Sequence, residues 1–99
     1  MNKLQHAQDI ADELKKALEI DSCQALVTSR QYVEAGYVPN KKTVTFILTW
    51  NEYTQIVPIA RKIIFAKETD NRDAVKAVIA NVWIMRLQQE MAQWKATHG

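Results

Sequence analysis

The chain has little of what many small enzymes and secreted domains depend on. Its two glycines, Gly36 and Gly99, are far apart, which excludes a glycine-rich loop that could cradle a phosphate. Its one cysteine, Cys23, cannot form an internal disulfide or a multi-cysteine metal site, and this fits a reducing compartment. No apolar run approaches the roughly 18 residues of a membrane span. The N-terminus also lacks the apolar stretch of a secretory signal, so we expect a cytoplasmic protein that does not bind membranes.

Catalytic motifs are missing as well. The sequence contains neither the GxSxG pattern of serine hydrolases nor the HExxH pattern of zinc proteases. Asp9 stands near Asp12 and Glu13, but on the polar side of an amphipathic segment, where a carboxylate lacks the burial that general acid catalysis needs. His6 lies one helical turn before Asp9. These two side chains alone are too few ligands for a metal site. We expect a protein that is not an enzyme and has no cofactor or metal.

What is present is an ordinary globular composition, with 47% apolar and 24% charged residues in 99. This length and composition predict one domain, residues 1–99. The net charge of +2 is unevenly distributed. Residues 1–21 contain three basic and five acidic residues, whereas residues 22–67 contain six basic and two acidic ones. The middle of the chain is therefore mildly basic, well short of the dense basic stripe of typical nucleic-acid binders.

Residues 43–50 give the clearest structural signal. Val44, Phe46, Leu48 and Trp50 alternate with residues that are mostly threonine, which predicts a strand with one buried face and a fixed register. Residues 23–35 predict a second strand with less regular alternation. The segment 36–42 contains a proline and an asparagine suited to a turn, so the two strands are expected to form a hairpin.

Helices are predicted at both ends. Apolar residues recur at three- and four-residue steps over residues 3–19, as in an amphipathic helix. A second, long helix is expected from Asp70 onward, with Asp70 or Asn71 as its cap. Residues 55–67 fit a helical stripe, but their β-branched residues favour a strand. Pro58 is acceptable either on an edge strand or as the first helical position, and the edge strand is the preferred interpretation. The predicted fold is α+β, an α-β-β-β-α two-layer sandwich with a three-stranded antiparallel sheet.

This element order resembles that of double-stranded-RNA-binding domains, and residues 66–80 enter their helix at a similar place. That family uses a basic cluster at the start of its second helix. The corresponding positions here are Asp70, Asn71, Arg72 and Asp73, which are nearly neutral. The resemblance is therefore one of element order alone.

The C-terminal helix is apolar on more of its circumference than one core requires. Val75, Val78, Ile79, Val82 and Met85 form one arc, which we expect to face the core. A second arc is rotated by about 120° and follows the spacing of a heptad seam. Its residues are Trp83, Ile84, Leu87, Met91 and Trp94. Either this second arc is covered by the first helix or the sheet edge, or it contacts a partner; a ligand pocket between the aromatics is a third interpretation.

The leading hypothesis is a non-enzymatic protein-binding or assembly module that acts through the second arc, with a protein partner or a homo-oligomer as the complex. A small domain of this kind fits phage or mobile-element accessory proteins such as inhibitors or virion-joining proteins. The alternative hypothesis is a nucleic-acid-binding domain that uses a basic sheet surface. Its residues would be Arg30, Lys41, Lys42, Arg61, Lys62 and Lys67.

Overall fold

Three antiparallel strands form the sheet, in the order in which they occur along the chain. The computed structural model describes residues 3–66 and 71–98. Its elements are α1 (Lys3–Leu18), β1 (Ser22–Leu26), α2 (Ser29–Glu34), β2 (Thr43–Trp50), β3 (Tyr53–Ala60), α3 (Arg61–Ile64) and α4 (Arg72–His98). The predicted α+β fold is confirmed, with an N-terminal helix, a three-stranded antiparallel sheet and a long C-terminal helix.

The central strand is β2. Its predicted apolar face is wrong at the end, because Trp50 beside the turn is 39% exposed, and Thr45 on the opposite face is buried, with its hydroxyl 2.8 Å from that of Tyr32. Val44, Phe46 and Leu48 are fully buried against the helices. Its neighbour β3 follows after the two-residue turn Asn51–Glu52, and Trp50 pairs with Tyr53 across that turn. Asn51 has φ 53°, a left-handed conformation that asparagine tolerates better than most residues. The tight hairpin therefore joins β2 to β3.

The predicted strand over residues 23–35 is wrong beyond Leu26. The chain enters α2 instead, through a capping box at Thr28 and Gln31. The Thr28 hydroxyl accepts from the Gln31 backbone N–H at 3.2 Å, and the Gln31 side chain accepts from the Thr28 N–H at 3.1 Å. This reciprocal pair satisfies donors that a helix start leaves open, which favours a helical turn over continued pairing. The predicted hairpin of these two strands is therefore wrong: β1 does pair antiparallel with β2, but α2 and a loop separate them along the chain.

Tyr32 connects α2 to the sheet. Its hydroxyl is 3.0 Å from the Thr43 carbonyl oxygen, to which it donates, and 2.8 Å from the Thr45 hydroxyl. Both Tyr32 and Thr45 are buried, so water cannot replace a lost partner.

We expect Tyr32→Phe to lower the free energy of unfolding by about 1–3 kcal/mol, because a buried hydroxyl loses its partner while the ring still packs. Urea unfolding of the variant and the wild type measures the difference. Tyr37→Phe, at a half-buried tyrosine in the adjacent loop, is the control and should change stability little. An equally small effect of both substitutions would contradict the role of the Tyr32 hydroxyl.

Residues 55–67 divide between the two interpretations. The edge strand β3 continues to Ala60, and α3 follows directly, while Lys67 lies outside the described residues. The Arg61 guanidinium holds α3 in place by donating to the Val27 carbonyl oxygen at 2.6 Å. The same short helix also contacts α1, because His6 Nε2 lies 3.2 Å from the Ile64 carbonyl oxygen.

Both long helices pack on one core with the sheet. The core contains Ala7, Ile10, Ala11 and Leu14 of α1 and Val75, Ile79 and Trp83 of α4. Lys76 on α4 lies 3.5 Å from the Glu13 carboxylate on α1. Asn71 precedes α4 and donates its side-chain amide to the Ile63 carbonyl oxygen, whereas the alternative cap, Asp70, lies outside the described residues. These contacts fix the direction in which α4 leaves the core.

Candidate protein-binding surface

The C-terminal part of α4 extends past the core. The helix has 27 residues and is about 40 Å long, in a molecule whose principal extents are 49 × 28 × 20 Å. Within residues 72–97 of the helix, Trp83 is the last buried residue, and residues 88–97 are all exposed. The described part of the chain leaves this segment of the helix exposed.

Trp83 belongs to the core and not to the exposed face. It is 3% exposed and packs edge-on against Tyr53, with ring centroids 5.1 Å apart. The helix meets the sheet along the row Val75, Ile79 and Trp83, whose members are four residues apart. Each such step rotates by about 40°, so the contact row leaves the first arc and enters the second. The prediction that Trp83 lies on an exposed face is therefore corrected.

The other four residues of the second arc share one side of α4 and form the surface that we call the α4 seam. It consists of Ile84, Leu87, Met91 and Trp94. Leu87 is half-buried against the core, Ile84 is exposed, and Met91 and Trp94 are 52% and 62% exposed. Large apolar side chains at this density are unusual on the surface of a monomer.

A shallow groove of about 380 Å³ runs beside the α4 seam. It lies between Tyr53 at the β2–β3 turn and the helix, and its other lining residues are Leu87, Glu90, Met91, Gln93, Trp94 and Thr97. Partial burial raises the pKa of Tyr53, as does the Glu90 carboxylate, while Arg86 acts in the opposite sense. The groove is open along its length, so it suits a side chain of a macromolecular partner better than an enclosed small molecule.

The first arc is only partly in the core. Val75 and Ile79 are buried and Val82 is half-buried, as expected. Val78 and Met85, in contrast, are 52% and 60% exposed, so the expectation that they face the core is wrong. The row that contacts the sheet rotates away from them, and no described strand lies beyond β3 to cover them.

The members of the predicted basic set that the structure describes do not form a sheet surface. Arg30 lies on α2 and pairs with Glu34 at 2.9 Å, and Lys41 and Lys42 lie in the turn before β2. Arg61 and Lys62 begin α3. The Arg61 guanidinium donates to a backbone carbonyl and stands over the Phe65 ring, 5.4 Å from its centroid.

Lys42 and Lys62 are brought near each other by the hydrogen bond from the Arg61 N–H to the Lys42 carbonyl oxygen, 2.9 Å long. Both side chains are exposed, and Lys67 lies outside the described residues. The described basic residues therefore occupy helices and a turn, and Arg61 serves the fold.

The thiol of Cys23 lies in the core under α1. Burial raises its pKa to about 12, and the nearby Asp12 carboxylate acts in the same direction. A neutral thiol is the opposite of what nucleophilic catalysis requires. Within residues 3–66 and 71–98, no group of three or more His, Cys, Asp or Glu side chains is placed to hold a metal ion.

The comparisons with known proteins give no relative. No protein-family model matches the chain, and neither a curated protein nor a solved structure matches it. Among the helices of the described part of the chain, none has the length and apolar character needed to cross a membrane.

Proposed function

We propose that this chain is a non-enzymatic assembly module that binds a second copy of itself by burying the α4 seam. The observation that carries the proposal is the exposure of Met91 and Trp94. Both are large apolar side chains, more than half exposed, on the part of α4 that extends beyond the core. Methionine and tryptophan are enriched at the centres of protein interfaces, where such exposure in the free monomer is removed on binding.

The spacing of the α4 seam matches a short coiled coil. Ile84 and Met91 take the first apolar heptad position, and Leu87 and Trp94 take the second. A β-branched residue at the first position with leucine at the second favours a coiled coil of two parallel helices. Since Trp83 is covered by its own sheet, the contact is confined to residue 84 and beyond.

Charge favours the parallel arrangement of the two helices. In a parallel pair, the exposed Glu90 of one copy lies beside the exposed Lys95 of the other, twice by symmetry. An antiparallel pair in register would instead bring the two Glu90 carboxylates together. Exposed pairs of this kind contribute little affinity but set orientation.

Light scattering after size exclusion tests the proposal. We expect the wild type to run at twice the 11.4 kDa mass of the chain when loaded at roughly 100 µM, a concentration suited to a small interface. Met91→Glu places two charges at the centre of the contact and should weaken association at least about 100-fold.

Met85→Glu is the matched control, because Met85 is equally exposed on the other flank of α4. This variant should remain dimeric. A monomeric wild type, or equal dissociation by both substitutions, would refute the proposal. Glu90→Lys should weaken the dimer, and adding Lys95→Glu should restore it only if the helices are parallel.

A further inference from the structure

We propose that the outer edge of β3 is a second binding site, which takes an extended segment of a partner protein as a fourth strand of the sheet. In the strand order β1-β2-β3, both β1 and β3 are edges. At the β1 edge, the Ala25 N–H donates to the Gln8 side-chain oxygen of α1 at 3.5 Å. Within residues 3–66 and 71–98, no strand pairs with the outer side of β3. An uncovered edge of this kind is a template for strand addition.

The register identifies the backbone groups that are available. Trp50 and Tyr53 flank the two-residue turn, so they exchange hydrogen bonds, and bonded pairs then alternate along the two strands. The Arg61 N–H to Lys42 carbonyl bond continues the same alternation at the other end. The N–H and C=O of Thr54 and of Ile56 therefore point away from β2. Pro58 occupies the next outward position and has no N–H, which ends the pairing edge there.

A groove of about 370 Å³ lies beside this edge on the helix side of the sheet. It is lined by Tyr53, Thr54, Gln55, Ile56, Arg86, Gln89 and Glu90. Gln55 is only 3% exposed, and in the described structure its amide Nε2 is buried without a hydrogen-bond partner. Its oxygen accepts from the Tyr53 hydroxyl at 3.2 Å. A buried donor left open is costly, so an acceptor on an added strand would satisfy it.

The flank of α4 above this groove is apolar. Val78, Val82 and Met85 recur at steps of four and three, on the side of the helix that also carries Arg86 and Gln89. A fourth strand would send alternate side chains toward this flank and cover Val78 and Met85, the two residues whose exposure the sequence does not predict.

A second copy of β3 fits this edge poorly. Antiparallel pairing centred on Ile56 would place Val57 of the second copy opposite Gln55. Since a valine side chain offers no hydrogen-bond acceptor, the Gln55 amide would still lack a partner. It would also set the Pro58 ring against the Thr54 carbonyl. The geometry favours a foreign segment with an apolar residue opposite Val57, a hydrogen-bond acceptor opposite Gln55 and polar residues between them.

A synthetic peptide with this pattern tests the inference. The probe is acetyl-Lys-Val-Thr-Asn-Thr-Val-Lys-amide, whose asparagine would face Gln55 in an antiparallel strand. With the peptide at ~1 mM, we expect hydrogen exchange of the Thr54 and Ile56 amides, followed by NMR, to slow at least about 10-fold. The same peptide N-methylated at both threonines lacks the pairing donors and should have no effect.

Two variants of the chain complete the test. Ile56→Pro removes an outward N–H that β2 does not use, so it should fold and lose the peptide, whereas Ile56→Thr should retain it. Met91→Glu should retain it as well, which separates this site from the α4 seam. No protection of the two amides, equal protection by the N-methylated peptide, or undiminished binding to a folded Ile56→Pro would each overturn the inference.

Discussion

Replacement of Trp83 by alanine is expected to lower the free energy of unfolding by about 3–5 kcal/mol. The indole is 3% exposed, lies against the Tyr53 ring and ends the row of α4 residues that contact the sheet. Its removal leaves a cavity beside the Tyr53 ring, and surrounding side chains in a packed core relax only partly into such a space. Because the free energy of unfolding of a small domain is about 5–15 kcal/mol in total, this one change should greatly lower the urea concentration at the unfolding midpoint.

Trp94→Ala is the matched control for this experiment. Trp94 is the same residue type on the same helix, 62% exposed, so its replacement should change the stability of the monomer by only about 0.5 kcal/mol. Unfolding should be measured at a few micromolar protein, where the proposed dimer is dissociated. If the two variants lost similar stability, the division of the second arc into a core residue and an exposed seam would be wrong.

The fold was predictable where a pattern has a single structural solution. The alternation over residues 43–50 correctly places Val44, Phe46 and Leu48 in the core. It is wrong for Trp50, which is 39% exposed beside the turn, and for Thr45, which is buried on the opposite face. The predicted strand is wrong over residues 29–34, because a local capping signal there overrides the β-favouring residues. The Thr28–Gln31 capping box was present in the sequence and would have predicted a helix start.

The candidate surface was only partly predictable, because periodicity shows which side of a helix is apolar but not what covers it. Trp83 turned out to be in the core since a contact row of four-residue steps drifts around the helix. Val78 turned out to be exposed since the sheet has no described strand beyond β3.

Gln55 was missed, although a signal for it exists. The alternation Tyr53, Gln55, Val57 sets a glutamine on the buried face of a strand, where an apolar residue is the norm. A polar residue in that position needs a partner, and identifying the open amide required the neighbouring atoms as well as the pattern.

The second large effect is expected at Cys23, as a loss of stability in alkali. Burial raises the pKa of the native thiol from 9.0 to about 12, with Asp12 adding to the effect. Between these values the unfolded chain releases a proton that the native chain holds, so stability falls as pH rises. The slope approaches about 1.4 kcal/mol per pH unit, up to about 4 kcal/mol over the whole interval.

Urea unfolding of the wild type and Cys23→Ala at several pH values from 8 to about 11 isolates this effect, because tyrosines and lysines titrate in both proteins. The alanine variant starts less stable, but its stability should fall less steeply, so the two curves converge as pH rises. Parallel curves would show that the native thiol ionises as freely as the unfolded one.

Alkylation of the same thiol provides an independent measurement. At pH 8 a pKa near 12 leaves the native thiolate fraction about 1,000-fold below that of a free cysteine, and burial slows access further. Iodoacetamide should therefore label the folded chain at least about 1,000-fold more slowly than the chain in urea. Rapid labelling of the folded protein would place a reactive thiolate in the core. That result would contradict both the packing of Cys23 under α1 and the neutral state of its thiol.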